Sequence, residues 1–264
     1  MEKDVGDPFG NAAAYDGYVG RWSRLVARQF IAWLNLASGL EWLDMGAGTG
    51  LLTLVILKEA SPAKVVGIDS SAAYIEVARQ RVRDDRAEFM VGDASSAIEP
   101  AQFDVAVAGL VLNFVPSAEQ AAKNMATAVR SGGTVAAYVW DYGGRMEMMR
   151  HFWDAAIAVD PSAKDMDAGG RFDICKPDNL RALFQDIGLT DVEVMPIDVQ
   201  THFSDFNDYW LPFLAAQGSV SKYLRGLSEE TLNAVRNQLQ IQLPTADDGS
   251  IPLIARAWAV KGQK

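Results

Sequence analysis

The stretch from Glu41 to Gly50, EWLDMGAGTG, is the feature that most constrains how this chain folds. Its first apolar residues, Trp42 and Leu43, suit a buried strand, and the carboxylate of Asp44 follows them directly. Three glycines then stand at alternate positions, namely Gly46, Gly48 and Gly50. Because glycine adopts positive φ freely and leaves the backbone open to close approach, the stretch predicts a nucleotide-type binding loop between a strand and a helix.

The glycine spacing separates this loop from the dinucleotide fingerprint Gly-x-Gly-x-x-Gly. The third glycine of that fingerprint would stand at Leu51. A pyrophosphate on the loop would be repelled by the charge of Asp44, whereas a ligand with an ammonium group would be attracted. An NAD-dependent dehydrogenase is therefore kept only as an alternative.

Two further predicted strands also end in carboxylates. The run from Lys64 to Asp69 places its acid 21 residues after Gly48, close to the distance at which a strand-end acid holds ribose hydroxyls. The run from Ala87 to Asp93 ends in another acid. Because open α/β sheets bind ligands at the carboxyl ends of their strands, we expect these acids to face one crevice.

With these motifs the chain resembles the class I S-adenosylmethionine-dependent methyltransferases, over residues 15 to 140 and more loosely to its C-terminus. The resemblance implies an α/β fold with a doubly wound, Rossmann-like sheet of seven mostly parallel strands, an antiparallel last strand and a helical lid. It implies S-adenosylmethionine as cofactor and S-adenosylhomocysteine as product. The residues expected at the cofactor are Asp44, Gly46, Ala47, Gly48, Asp69, Ser70, Asp93, Ala94 and Leu110, with Tyr18, Arg21 and Trp22 closing over its methionine end.

Periodicity and capping signals predict the remaining elements. Helices are expected over residues 23–36, 51–60, 71–83, 117–129, 146–159, 177–188, 206–216 and 228–243. Strands are expected over 103–109, 134–140, 191–199 and 253–260, after those at the three acids. Residues 131–133 are expected to form a turn, and 160–176 a long loop.

This pattern predicts a mobile N-terminal arm over residues 1–22 and a single domain over 23–264. Two segments, at about 142–177 and 203–250, exceed what the sheet requires, and the resemblance implies that they form the lid of the acceptor pocket. Their aromatic content predicts a largely apolar acceptor, and the resemblance implies that it is a small molecule. The residues concerned are Phe152, Trp153, Phe203, Phe206, Tyr209, Trp210 and Phe213.

Methyl transfer from a sulfonium needs positioning and water exclusion more than covalent help, and the accepting atom can be N, O or C. A hydroxyl or protonated amine also needs a base. The candidates are His151, Asp141 and Tyr142, with His202 less favoured; no metal is expected. A noncatalytic relative that binds the cofactor for regulation remains an alternative.

Composition limits the partners. Acids outnumber bases 34 to 24, giving a net charge of −10, and no dense basic cluster stands in the sequence, which argues against nucleic acid. Residues 113–116 also lack the signature of methyltransferases that act on base amines. The absence of a long apolar run and of a signal-like N-terminus predicts no membrane association. The single cysteine, Cys175, fits a reducing compartment, so a cytoplasmic location is expected. The identity of the acceptor and the oligomeric state do not follow from the sequence.

Overall fold

The structure is a computed structural model that describes residues 20–94, 96, 99–215 and 219–264. Tyr18 and most of the predicted arm lie outside these residues. No helix in the described part of the chain combines the length and the apolar character that crossing a membrane requires.

Seven strands form one sheet with the order β3-β2-β1-β4-β5-β7-β6. The pairs β1–β2, β1–β4, β2–β3 and β4–β5 are parallel, and β5–β7 is antiparallel. This confirms the predicted mostly parallel sheet with an antiparallel last strand. The strands are β1 Glu41–Met45, β2 Lys64–Asp69, β3 Ala87–Val91, β4 Phe103–Gly109, β5 Val129–Trp140, β6 Thr190–Phe203 and β7 Ile251–Gln263.

The α-helices agree with the predicted periodicity, apart from two short ones. Their bounds are α1 Arg21–Leu34, α2 Leu51–Glu59, α3 Ala72–Arg81, α4 Ala118–Ala128, α5 Glu147–Val159, α6 Ala168–Arg171, α7 Pro177–Asp186, α8 Phe206–Ala215, α9 Ser219–Arg225 and α10 Glu229–Gln242. Neither α6 nor α9 is predicted from the sequence. The predicted loop at 160–176 contains α6 and two 3-10 turns, Pro161–Met166 and Asp173–Cys175.

The strands differ from their predicted bounds where pairing overrides local signals. The predicted turn at residues 131–133 lies within β5, where Gly132 has a φ of +79° and the register with β4 shifts. Both β6 and β7 extend beyond the apolar runs that predicted them. Ladder hydrogen bonds to a neighbouring strand, which local sequence does not report, account for the added length.

The chain divides into two compact units. The first, here called the sheet unit, comprises Arg24–Trp140, Ile174–Ile197 and Ala257–Lys264. The second, here called the helical unit, comprises Asp141–Asp173 and Asp198–Arg256 with the residues up to Ser23. All strand-end acids belong to the sheet unit. In β1, the residues from Trp42 to Met45 are all buried, as expected for a strand in the middle of a parallel sheet.

Candidate functional site

The glycine loop joins β1 to α2 at the carboxyl end of β1. The backbone N–H groups of Gly46 and Ala47 both donate to the carbonyl oxygen of Ile68, at 2.7 and 3.0 Å. Gly50 has a φ of +80° where the chain enters α2, and its N–H donates to the Ala47 carbonyl at 2.9 Å. The two bonds to Ile68 join the carboxyl ends of β1 and β2.

Two glycines of this loop have different surroundings. Gly46 and Gly48 both have positive φ, at +74° and +53°. A Cβ atom on Gly46 would collide with the side chain of Val111, from the loop after β4. A Cβ atom on Gly48 would meet no atom of the described residues within 4 Å. Packing therefore requires Gly46, whereas Gly48 leaves one side of the backbone open to a ligand.

Asp44 is buried at the end of β1, with 1% of its surface exposed. Its Oδ2 accepts a hydrogen bond from the Thr53 hydroxyl in α2 at 2.6 Å, while Oδ1 has no hydrogen-bond partner in the described structure. Burial raises the pKa of this carboxyl to about 7; the Thr53 bond opposes the rise and the charge of Asp69 adds to it. Since an unpaired buried acceptor is unfavourable, the site favours a donor at Oδ1, above all a cationic one.

The carboxylate of Asp69 bridges two loops. Its Oδ2 accepts from the backbone N–H of Gly48 and its Oδ1 from that of Ser71, each at 2.9 Å. The Ser71 hydroxyl in turn caps α3 by accepting from the N–H of Tyr74 at 3.3 Å. Ser70 is exposed. These two bonds hold the Asp69 carboxylate in place at the carboxyl end of β2.

The loop after β3 carries Asp93 and Ala94. The N–H of Gly92 donates to the carbonyl oxygen that ends β2, at 3.0 Å. From α4, the buried amide of Asn124 donates to the carbonyl oxygens of Ala94 and Ser96, at 2.7 and 2.9 Å. Asp93 itself is exposed. The helix α4, which follows β4 in the sequence, therefore fixes the loop after β3.

Leu110 follows β4 in the left-handed backbone region, with a φ of +63°. This conformation costs about 1–2 kcal/mol for a residue with a side chain, and such strain persists where the surroundings impose it. The N–H of Leu110 donates to the carbonyl of Tyr138 in β5 at 2.8 Å. Strained backbone thus stands next to Val111, whose side chain packs on Gly46.

Nine of the residues predicted at the cofactor thus lie at the carboxyl ends of four strands that are neighbours in the sheet. The residues are Asp44, Gly46, Ala47, Gly48, Asp69, Ser70, Asp93, Ala94 and Leu110.

Arg21 and Trp22 belong to the helical unit. The guanidinium of Arg21 lies over the rings of Trp22 and Phe203, 4.5 and 4.8 Å from their centroids. Its Nη1 donates to Asp208 at 2.9 Å, and its Nε and Nη2 are buried without partners in the described part of the chain. The predicted contacts of these residues, and of Tyr18, with the cofactor stay predictions.

The three candidate bases also belong to the helical unit. Asp141 accepts a backbone N–H bond of 2.9 Å in the turn before α5, which is a structural use of its carboxylate. The ring of Tyr142 packs against Phe172, with centroids 5.6 Å apart. Burial lowers the pKa of the half-buried His151, partly opposed by nearby carboxylates. A neutral imidazole can accept a proton at neutral pH, so His151 has the state that a base requires.

The aromatic residues predicted to line the acceptor pocket form the core of the helical unit. The rings of Tyr209 and Phe152 lie 5.2 and 5.0 Å from that of Phe213, and the Tyr209 hydroxyl donates to the carbonyl of Met148 at 2.7 Å. The polarity of an acceptor therefore does not follow from these side chains. Those that are buried are Phe152, Trp153, Phe203, Tyr209, Trp210 and Phe213.

The sequence patterns do not predict three residues of the site, which are Thr53, Val111 and Asn124. Thr53 interrupts an apolar run at the start of α2, and a buried hydroxyl requires a partner, so a signal exists for it. Asn124, in the middle of a helix of small residues, is a weaker signal of the same kind. For Val111 no local signal exists, because its role depends on the neighbouring strand end.

The sequence and the fold of this chain are both similar to those of known methyltransferases. Residues 43–137 match the sequence model of a family described as "Methyltransferase domain". The trans-aconitate 2-methyltransferase of Variovorax paradoxus is 30% identical over 179 residues, covering 67% of this chain and 64% of that protein. The corresponding enzyme of Afipia carboxidovorans is 29% identical over 115 residues, or 44% of each chain. The matched region thus spans about half to two thirds of these relatives.

One solved structure extends the likeness to the whole chain. Phosphoethanolamine N-methyltransferase 2 of Haemonchus contortus, in complex with phosphomonomethylethanolamine and S-adenosylhomocysteine, has a TM-score of 0.60 and 16% identity. The match covers 100% of this chain and 58% of the Haemonchus contortus protein. At this identity the likeness shows the fold. Together these findings confirm the resemblance to the class I methyltransferases that the residues predict.

Proposed function

We propose that this chain, whose residues 43–137 match the sequence model of a methyltransferase domain, binds S-adenosylmethionine and transfers its methyl group to an N, O or C atom of a small metabolite. The named relatives act on trans-aconitate, and the solved structure holds a phosphorylated amine and the demethylated cofactor. A small-molecule acceptor agrees with both. The cofactor supplies an activated methyl group when it is bound.

The observation that carries the proposal is the unpaired Oδ1 of buried Asp44 beside the open backbone of Gly48. An α-ammonium group, directly or through a water molecule, would satisfy that oxygen and favour the ionised carboxylate. A pyrophosphate would leave it unsatisfied and add repulsion. The donor set therefore fits an amino-acid moiety and argues against a dinucleotide.

The remaining strand-end groups fit a nucleoside. Asp69 is fixed by two backbone N–H groups, and its carboxylate oxygens are acceptors of the kind that a vicinal pair of ribose hydroxyls requires. Asp93, with Ser70 and Ala94, would frame the base, where a carboxylate can accept from an exocyclic amine. Leu110 would pack on the nucleoside from the end of β4. In this assignment the protein binds, orients and excludes water, and His151 is the proposed base for acceptors that release a proton.

We propose that the protein works in the cytoplasm without nucleic acid or membrane partners. The single cysteine supports the cytoplasmic location, and the net charge of −10 argues against nucleic-acid partners. The largely apolar acceptor stays a prediction from the sequence, because the aromatic side chains that suggested it are buried against one another.

Calorimetry with S-adenosylmethionine, S-adenosylhomocysteine and NAD tests the cofactor. We expect both adenosyl compounds to bind and NAD to give no heat. Release of S-adenosylhomocysteine against a panel of small acids, amines and phenols then tests catalysis. Binding without turnover on any acceptor would favour the noncatalytic relative, and binding of NAD alone would favour the dehydrogenase.

A further inference from the structure

A cavity of about 580 Å³ lies in the sheet unit. Its walls come from α1, from α2, and from the end of α3 with the chain that follows it. Apolar side chains such as Leu54, Val55 and Val82 contribute to the lining. None of the residues assigned to the cofactor lines it.

The charge of this cavity is opposite to that of the protein. Six basic residues line it against two acids, in a chain whose net charge is −10. The basic residues are Arg24, Arg28, Lys58, Arg81, Arg83 and Arg86. A local excess of positive charge inside a concave, low-dielectric wall concentrates anions there.

Internal pairing accounts for only part of this charge. Arg86 binds Asp84 through two side-chain bonds of 2.9 and 2.8 Å, and Arg28 lies 3.5 Å from Glu59. These two acids are the ones that line the cavity. Arg81 donates to the hydroxyl of Thr49 at 2.7 Å.

Three cations remain. Arg24, Lys58 and Arg83 are exposed and have neither an ion pair nor a side-chain hydrogen bond with any described residue. They come from α1, from α2 and from the segment after α3, so three separate elements direct unpaired positive charge to one cavity. Structural ion pairing explains Arg28 and Arg86 but leaves these three residues unexplained.

We infer that this cavity binds a small polyanion, such as a compound that carries a pyrophosphate or several carboxylates. Guanidinium groups match the oxygens of both groups through paired, charge-assisted hydrogen bonds. The volume is in the range of small-ligand sites, and its concave shape suits a metabolite better than a polymer. The site goes beyond methyl transfer and does not depend on it.

The test uses the 264-residue chain with inorganic pyrophosphate in one arm and citrate in the other, at low ionic strength. We expect calorimetry and thermal shift to detect binding of at least one of them, weakening as salt is added because exposed charges are screened. The triple variant Arg24→Gln, Lys58→Gln, Arg83→Gln should bind at least about tenfold more weakly. Pyrophosphate alone would indicate a phosphate ligand, and citrate alone a polycarboxylate.

The matched control removes three exposed basic residues of the helical unit that do not line the cavity, as Lys164→Gln, Lys222→Gln, Arg225→Gln. It should keep its anion affinity and, like the first variant, its affinity for S-adenosylmethionine. The inference is overturned if neither anion binds the wild type, if the control weakens binding equally, or if an oligonucleotide binds more tightly and displaces pyrophosphate. None of these outcomes bears on cofactor binding.

Discussion

Among single residues, Asp44 concentrates the chemistry of the candidate site. Its carboxylate is buried, accepts one hydrogen bond from Thr53, and keeps one oxygen without a partner among the described residues. Burial raises the pKa of this carboxyl to about 7. Without ligand, the folded protein therefore keeps the Asp44 proton up to about pH 7, whereas the unfolded chain releases it near pH 4. A cationic ligand would reverse this preference.

The first prediction concerns the pH dependence of stability. Because the pKa of Asp44 is raised by folding, its contribution is fully present below about pH 4 and is lost as pH rises through about 7. The variant Asp44→Asn lacks this titration. We therefore expect the free energy of unfolding of the variant, relative to wild type, to increase by about 2 kcal/mol between about pH 5 and pH 7.

Urea unfolding of both proteins without ligand, at matched ionic strength, measures this difference. The constant effect of the amide substitution cancels, since only the change with pH is compared. A difference that stays flat across this range would show that Asp44 is ionised throughout.

The second prediction concerns Gly48. Alanine there must adopt a φ near +53° but meets no atom of the described protein within 4 Å, so Gly48→Ala should lose only about 1–2 kcal/mol of stability. Its added methyl group would occupy the open side of the loop. We expect affinity for S-adenosylmethionine to fall at least about tenfold, or about 1.4 kcal/mol.

Gly132→Ala is the control, because Gly132 also has positive φ, at +79°, and equally open surroundings in the described structure. It should lose similar stability and keep its cofactor affinity in calorimetry. Equal affinities for the two variants would remove Gly48 from the site.

Among secondary-structure elements, α4 has a role beyond covering the sheet. Its Asn124 holds the loop after β3 through two carbonyl oxygens, and Gln120, one turn earlier, donates to the side-chain oxygen of Asn124 at 3.0 Å. The loop itself carries Asp93, proposed to face the base of the cofactor. The helix therefore positions a group of the site without contacting the ligand.

The third prediction follows for Asn124→Ala. It leaves two carbonyl oxygens without their donor, which costs about 1–3 kcal/mol, and should speed amide exchange at Ser96, whose N–H donates to Asp93 at 2.9 Å. We also expect weaker binding of S-adenosylmethionine. Gln120→Ala, which spares the bonds to the loop, is the control in hydrogen-exchange and binding measurements. Unchanged exchange at Ser96 in the first variant would contradict the positioning role.

Over the whole molecule, acidic groups dominate the response to pH. Hydrogen bonds from neighbouring side chains or backbone hold the pKa values of several carboxyls below their usual range. These groups are Asp84, Asp104, Glu119, Asp160, Asp198 and Asp248. Depressed values mean that the folded state binds fewer protons than the unfolded chain.

The fourth prediction is a loss of stability in acid. The contribution of these carboxyls is present above about pH 4 and is lost as pH falls through their lowered pKa values. Thermal melts followed by circular dichroism from about pH 6 to pH 2 should show a melting temperature that falls steeply below about pH 4. A melting temperature that stays constant to about pH 3 would contradict this expectation.

The sequence by itself was enough to predict the cofactor-binding part of this protein. The motif from Asp44 to Gly50, the acids Asp69 and Asp93, and the alternation of strands and helices are local patterns. Parallel strands linked by helices bring their carboxyl ends to one edge, so correct spacing along the chain is enough to predict which groups meet there.

Tertiary structure decided the rest. The bonds of Asn124 to the β3 loop span 30 and 28 residues, the contact of Val111 with Gly46 depends on strand order, and the unpaired cations converge from three elements. Whether an aromatic residue lines a pocket or fills a core, as in the helical unit, depends on what packs against it. Such contacts are set by the free energy of packing distant segments together, which no local pattern in the sequence records.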